Sequence, residues 1–272
     1  MTRDTAAGVP ARPGTRPPRG ATRPGAGPDG TARSAAGHGA AGGLGGGADG
    51  DFWSLLSAGE RADFVARGHR RTWRRGEVLF HEGDTSDRVV LLESGRVKAA
   101  CHTATGAEVV LAVRGPGALL GEISAVSREP HSASVRALEP VTGLVLALAE
   151  FEVYLKEHGR VAFQMMRLLA ERLRDADRKR IEFGAQDTTG RVAGRLVELA
   201  DRFGAPARDA AHPGAVLIAL PLSQDELASW VGASREAVSR ALGVLRAAGW
   251  IRTSRLRVVV LDPDALRSRG AA

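Results

Sequence analysis

"LSQDELASWVGASREAVSRALGVLRAAGWIRTSRLRVVVLD", Leu222 to Asp262, divides into a helix, a tight turn, a second helix and two short strands around Thr253-Ser254-Arg255. Ser223 with Glu226 forms an S-x-x-E capping box that starts the first helix. Ala228 is small enough to let a second helix cross closely, and Gly232 supplies the permissive backbone of a sharp turn. The Ser234 hydroxyl caps the second helix, and Leu227, Trp230, Val231, Val238, Leu242 and Leu245 are spaced to form one shared core. That leaves Ser234, Arg235, Glu236, Ser239 and Arg240 on the exposed face. Arginine bonds bidentately to the O6 and N7 of guanine, and glutamate accepts from the N4 of cytosine. A charged helix face is ordinarily just solvated. Here it follows a helix-turn-helix spacing and precedes Gly249-Trp250-Ile251 and a wing bearing Arg252, Arg255 and Arg257. That combination points to DNA reading, with Gln224 on the first helix and Arg255 in the wing as further contacts.

Working outward, "TTGRVAGRLVELADRFG" predicts a helix ending at Gly204. Before it, Ala162, Met166, Leu169, Leu173, Ala176, Arg180 and Phe183 recur at steps of four and three, the spacing of a coiled-coil seam. We expect this helix to pair with its copy through Met166, Leu169, Leu173, Ala176 and Phe183, while Val161, Met165 and Leu168 face the rest of the chain. The alternative is a helix packed within one chain. Between His69 and Leu148 the pattern is of short β runs punctuated by glycine, as in a sandwich or small barrel. Short amphipathic helices precede it in "DFWSLLSAGERADFVARG". Residues 1–50 are mostly Pro, Gly, Ala and Arg, with no aromatic residue; they cannot offset about 1–2 kcal/mol of ordering entropy per residue and are expected to form a disordered tail. The division is thus a tail over 1–50, a β-rich domain over 51–150, a dimerisation helix over 151–184 and a DNA-binding domain over 185–272.

Lys and Arg number 38 against 31 Asp and Glu, a net charge of +7 in 272 residues, which suits a polyanionic partner. No stretch reaches the roughly 18 apolar residues of a membrane span, and the N-terminus has no apolar core of a secretory signal. A cytoplasmic location is expected. The single cysteine, Cys101, excludes a disulfide framework and an iron–sulfur cluster held by one chain.

Leu222–Val260 resembles the winged helix-turn-helix of the Crp/Fnr transcription regulators, and the likeness extends over about residues 52–262. It implies an α+β fold: an N-terminal β-roll (jelly-roll-like) sensor, a long dimerisation helix and a C-terminal winged helix-turn-helix. It implies also a homodimer on a roughly palindromic stretch of double-stranded DNA with half-sites about 34 Å apart, a half-site resembling TGTGA, RNA polymerase as a partner, and no catalysis. Arg235, Glu236 and Arg240 would read bases. In the sensor, "GEISAVSREPHSASVR" (Gly121–Arg136) matches the loop that cradles a cyclic phosphate. Glu122 takes the position that receives a ribose hydroxyl, Gly121 lets the backbone approach, and Ser132 with Ala133 takes the phosphate contacts. Arg172 on the long helix falls beside Glu122.

Two departures stand against a cAMP or cGMP effector. His131 occupies the place of the phosphate-pairing arginine and is mostly neutral at pH 7, and the adenine-contacting positions carry Ala176 and Asp177. Arg128 and Arg136 are candidates to replace the charge. Four alternatives remain: another small effector in the β-roll, an effector-independent regulator with a degenerate sensor, haem ligation by His81 or His102, and a cupin-like ligand-binding protein or enzyme. The last needs clustered metal ligands, and His69, His81, His102 and His131 show no H-x-H spacing.

Overall fold

Period-two alternation between His69 and Ala147 closes into two facing sheets. The computed structural model describes residues 51–104, 106–219 and 222–271; the tail expected over 1–50 lies outside them. One turn at Trp53–Leu55 precedes α1 (Ala58–Arg67), whose capping box joins Ser57 and Glu60. Then follow β1 (His69–Trp73), β2 (Val78–Phe80), β3 (Arg88–Ser94), β4 (Val97–His102), β5 (Glu108–Arg114), β6 (Leu119–Leu120), α2 (Glu122–Ser127), β7 (Ser134–Ala137) and β8 (Val141–Ala147). The sheets have orders β1-β8-β3-β6 and β2-β7-β4-β5, the non-sequential winding of a β-roll. Trp73, Phe80, Val90, Leu92, Val97, Leu120 and Val145 fill the space between them. The alternate residues Val89, Leu91, Leu144 and Leu146 turn outward onto Phe64, Phe151, Tyr154, Val161, Met165 and Leu168. Each such side chain contributes about 1.5–3 kcal/mol by leaving water. Val161, Met165 and Leu168 therefore face the sensor as the sequence predicts.

The helical run expected as one element over 151–184 is two. α3 (Leu148–Glu157) stops at His158, whose φ of −114° and ψ of 67° are not helical, and α4 (Gly159–Ala185) begins after it. The break is held from outside: His158 Nε2 lies 2.7 Å from the Asp63 carboxylate, and the Tyr154 hydroxyl donates to the Glu60 carbonyl at 3.1 Å. Both partners sit on α1, so the bend holds α3 against the sensor before α4 begins.

The C-terminal domain comprises α5 (Thr188–Phe203), β9 (Gly204–Pro206), β10 (Val216–Ile218), α6 (Gln224–Val231), α7 (Arg235–Ala247), β11 (Ile251–Ser254), β12 (Arg257–Val260) and α8 (Pro263–Ala271). Its sheet, ordered β11-β12-β10-β9, is twice as wide as the two strands legible in the sequence. α8 was not anticipated either. It crosses α5 where Gly270 meets Gly194, a contact that leaves no room for a Cβ on Gly270, and Arg269 pairs with the Asp187 cap of α5 at 2.6 Å.

Candidate nucleic-acid interface and sensor pocket

The capping box forms as predicted: Glu226 N donates to Ser223 Oγ at 3.1 Å, and Ser223 N donates back to Glu226 Oε2 at 2.8 Å. Gly232 ends α6 in the left-handed region, with φ of 62°, and Ser234 Oγ accepts from Ala237 N at 3.2 Å to start α7. Leu227, Trp230, Val231, Val238, Leu242 and Leu245 are all buried. Ser234, Arg235, Glu236, Ser239 and Arg240 are all exposed on one helix. Arg235 leans toward Asp225 at 3.6 Å, a weak surface pair that releases it at little cost. Gln224 and Arg255 are exposed too; Arg255 sits in the tight wing turn, where Leu256 takes a φ of 57°. Arg252 is committed instead to Asp209.

In the sensor, Gly121 adopts φ of 81° and caps α2, so a side chain there would meet the Arg88 carbonyl and the Phe80 ring. Glu122 is 2 % exposed and pairs with Arg172, whose other terminal nitrogen donates to the Leu119 carbonyl at 3.1 Å. The pairing expected from the loop and the long helix is thus present. His131 is buried, its ring 4.4 Å from that of Phe80. Burial, and then the nearby Arg88, hold its pKa below the usual imidazole value, so it is neutral at pH 7. Arg128 and Arg136 do not replace the lost charge: Arg128 pairs with Glu152, and Arg136 donates to the Gly76 carbonyl. The cation that the fold does bring near is Arg88, stacked 5.2 Å from the Phe80 ring. Sequence reasoning missed it because it lies a full strand away from the loop. Ser132 is exposed and Ala133 half-exposed at the end of the loop.

Of the expected α4 seam, Met166, Leu173, Ala176, Arg180 and Phe183 are exposed. Phe163, Met166 and Leu173 are 57 %, 60 % and 63 % exposed, and with Ala170 and Asp177 they keep the four-three spacing on a bare face. Leu169 is turned toward the sensor core, and Phe183 packs on Gly232 of the helix-turn-helix.

No sequence signal pointed to the contact between the two domains. β5 is the edge of its sheet, and α6 covers it: Ser229 Oγ donates to the Glu108 carbonyl at 2.5 Å and accepts from Val110 N at 3.1 Å. Lys98, on β4, is buried and bridges Glu108 at 2.6 Å and Glu226 at 2.9 Å, one carboxylate from each domain. Burial disfavours its charge, but the two carboxylates outweigh it and raise its pKa. Ala100, Val110, Val113 and Leu138 complete one apolar cluster with the helix-turn-helix core.

Among the described residues, the histidines of the cupin reading do not converge. The group with metal-ligand spacing is Asp63, Glu157 and His158, and the Arg67 guanidinium already pairs with both its carboxylates. Burial, and then the nearby Glu82, raise the pKa of the Cys101 thiol and so disfavour its thiolate. No helix among the described residues is long and apolar enough to cross a membrane.

A β-roll with a phosphate-type loop, a long helix and a winged helix-turn-helix with a bare arginine face define a sensor-linked DNA-binding regulator. Residues 70–158 match the family described as the cyclic nucleotide-binding domain, and residues 190–269 match the Crp-like helix-turn-helix domain. The CRP-like cAMP-activated global transcriptional regulator of Mycobacterium tuberculosis is 32 % identical over 195 residues, 72 % of this chain and 85 % of that protein. The cyclic AMP receptor protein of Thermus thermophilus is 32 % identical over 203 residues, 75 % and 85 % of the two chains. The structure of FixK2 from Bradyrhizobium japonicum superposes with a TM-score of 0.65 at 23 % identity, covering 75 % of this chain and 98 % of that one. The chain belongs to the Crp/Fnr family of DNA-binding transcription regulators.

Proposed function

We propose that the chain acts as a cytoplasmic homodimer that reads a palindromic operator with Arg235, Glu236 and Arg240, contacts RNA polymerase, catalyses no reaction, and responds to a cyclic nucleotide in its β-roll. The observation that carries this reading is the bare face of α7. Five polar side chains stand clear of solvent-excluding neighbours at the start of a capped helix whose other face is fully buried. Ser239, Gln224 and Arg255 flank that face. The Phe163–Met166–Leu173 stripe supplies the dimer seam, which sets the two α7 helices one helical turn of DNA apart.

For the effector, Glu122 and Arg172 hold the pocket frame, Gly121, Ser132 and Ala133 line the loop, and Asp177 lies on the seam side of α4. The cAMP-activated relative at 32 % identity favours cAMP. A second reading, a regulator without a nucleotide, is favoured by the neutral His131 packed on Phe80. Titrating labelled operator DNA with the protein, with and without cAMP and cGMP, decides between them. Sequence-selective binding that tightens with a nucleotide supports the first reading, and unchanged selective binding supports the second. Binding without a specificity ratio sinks both.

A further inference from the structure

Beneath the wing, between β11–β12 and the helices α5, α6 and α7, lies a cavity of about 250 Å³. Leu196 and Leu199 of α5, Ile218 of β10, Leu227 of α6 and Leu242 of α7 wall it, and each is buried. Protein interiors rarely leave room for more than a water molecule. A void with aliphatic walls has nothing to offer water and takes an apolar guest instead, as a cavity of about 150 Å³ takes benzene.

The exposed side of the lining has a different chemistry. It comprises Ser223 and Gln224 at the start of α6 and Ser254–Arg257 in the wing turn. Among the described lining residues Arg255 and Arg257 are the only charged groups, and no described carboxylate pairs with either. Leu256, between them, has a φ of 57°, where glycine or asparagine is at ease and leucine is uncommon. The turn thus bears backbone strain and keeps an apolar side chain on the open side of the cavity, and strain of this kind marks ligand sites. Arg246 of α7 donates to Thr253 Oγ1 at 2.9 Å, which holds the wing over the helices.

We infer that the wing cavity binds a small aliphatic carboxylate, its chain among the leucines and its head between Arg255 and Arg257. The space exceeds the about 150 Å³ that holds benzene and falls short of the about 300–1,000 Å³ of drug-sized pockets, which limits the guest to about ten heavy atoms. The aliphatic walls select the chain, and two unpaired guanidinium groups select an anionic head through charge-assisted hydrogen bonds. The site is separate from the β-roll. Its occupancy withdraws Arg255 from DNA, a consequence that rests on the reading of that residue as a DNA contact.

The test is calorimetric titration of the full chain without DNA, using octanoate, butyrate and octanol below micelle-forming concentrations. Saturable octanoate binding is expected, at least tenfold weaker for butyrate, which lacks four methylenes, and about tenfold weaker for octanol, which lacks the charge. Leu199→Phe, which fills the cavity, should abolish it. If that variant does not fold, the exposed pair Arg255→Gln/Arg257→Gln carries the test and should weaken octanoate about tenfold while leaving octanol unchanged. No saturable response in the wild type, butyrate or octanol as tight as octanoate, or wild-type affinity in the variants overturns the inference. In fluorescence anisotropy, saturating octanoate should weaken operator binding. Saturable octanoate binding with unchanged DNA affinity overturns the competition with DNA but upholds the site.

Discussion

Replacing Lys98 by methionine tests whether the two domains are held by chemistry or merely lie together. The side chain is 7 % exposed and supplies one short charge-assisted bond to Glu108 and another to Glu226, whose side chains are 33 % and 22 % exposed. Two such bonds are worth about 3–6 kcal/mol. Methionine keeps the apolar stem, and the freed carboxylates regain some water, which places the expected loss at about 2–4 kcal/mol. That lies near the range for breaking a buried pair. The assay is urea denaturation followed by tryptophan fluorescence and circular dichroism, because Trp73 and Trp230 report on different domains and the transition need not be two-state. Glu226→Gln preserves the capping box, so the double variant isolates the ion pair: the cycle should show a coupling of about 1–3 kcal/mol. A Lys98→Met cost under about 1 kcal/mol, or additivity within about 0.5 kcal/mol, refutes the reasoning. The pH dependence adds a sign. Burial works to raise the Glu226 pKa, but the Ser223 backbone and Lys98 hold it below the ordinary 4.5. Its contribution is therefore full above that value and is lost as pH falls through the lower folded one.

Other variants probe the remaining faces. Arg235→Ala and Arg240→Ala should each cost about 1–3 kcal/mol of discrimination between operator and unrelated DNA by fluorescence anisotropy, with non-specific binding far less affected. Leu173→Glu places a charge in the bare stripe of α4 and should convert dimers to folded monomers in sedimentation analysis; a dimer unaffected by it would move the interface elsewhere. His131→Arg should tighten cyclic-nucleotide binding about ten- to a hundred-fold by calorimetry, and no gain would mean that this residue does not set the pocket's affinity. Arg172→Met strands the buried Glu122 carboxylate and should lower stability by about 3–5 kcal/mol in urea melts; a smaller loss would show that Glu122 takes up a proton or finds water.

The helix-turn-helix was legible because its determinants are local. Ser223, Glu226, Gly232 and Ser234 each satisfy a backbone demand within a few residues, and the core positions repeat at helical spacing. The sensor loop was legible for the same reason, its Gly121-Glu122 start being one tight turn into a short helix. What stayed hidden depends on distant parts of the chain. β9 and β10 are three residues each and read as irregular until β12 pairs with β10. The phase of the α4 stripe is set by which side the sensor covers: Leu169 satisfies the four-three spacing as well as Phe163 does, and only the packed fold turns one inward. Arg88 is invisible as a pocket residue until β3 lies beside the loop.

The domain contact gives the sensor loop a physical route to the DNA-reading helices. β7 begins three residues after His131 and pairs with β4 from Val97 to Ala100. β4 pairs with β5 along its whole length, with an irregularity between Ala99 and Ala100. The next layer is α6, bonded through Ser229 to the β5 edge and through Glu226 to Lys98. A shift of the loop that moves β7 is therefore carried across two hydrogen-bonded strands to the first helix of the helix-turn-helix. Contiguity alone does not make a switch; both ends must bias one element between two arrangements. The docked α6 can serve as that element only if it has a second position. An effector that favours one position of β7 by a few kcal/mol repopulates α6 only to the extent that the Lys98 and Ser229 contacts differ in the two positions. Lys98→Met should accordingly uncouple effector from DNA affinity even where each ligand still binds alone.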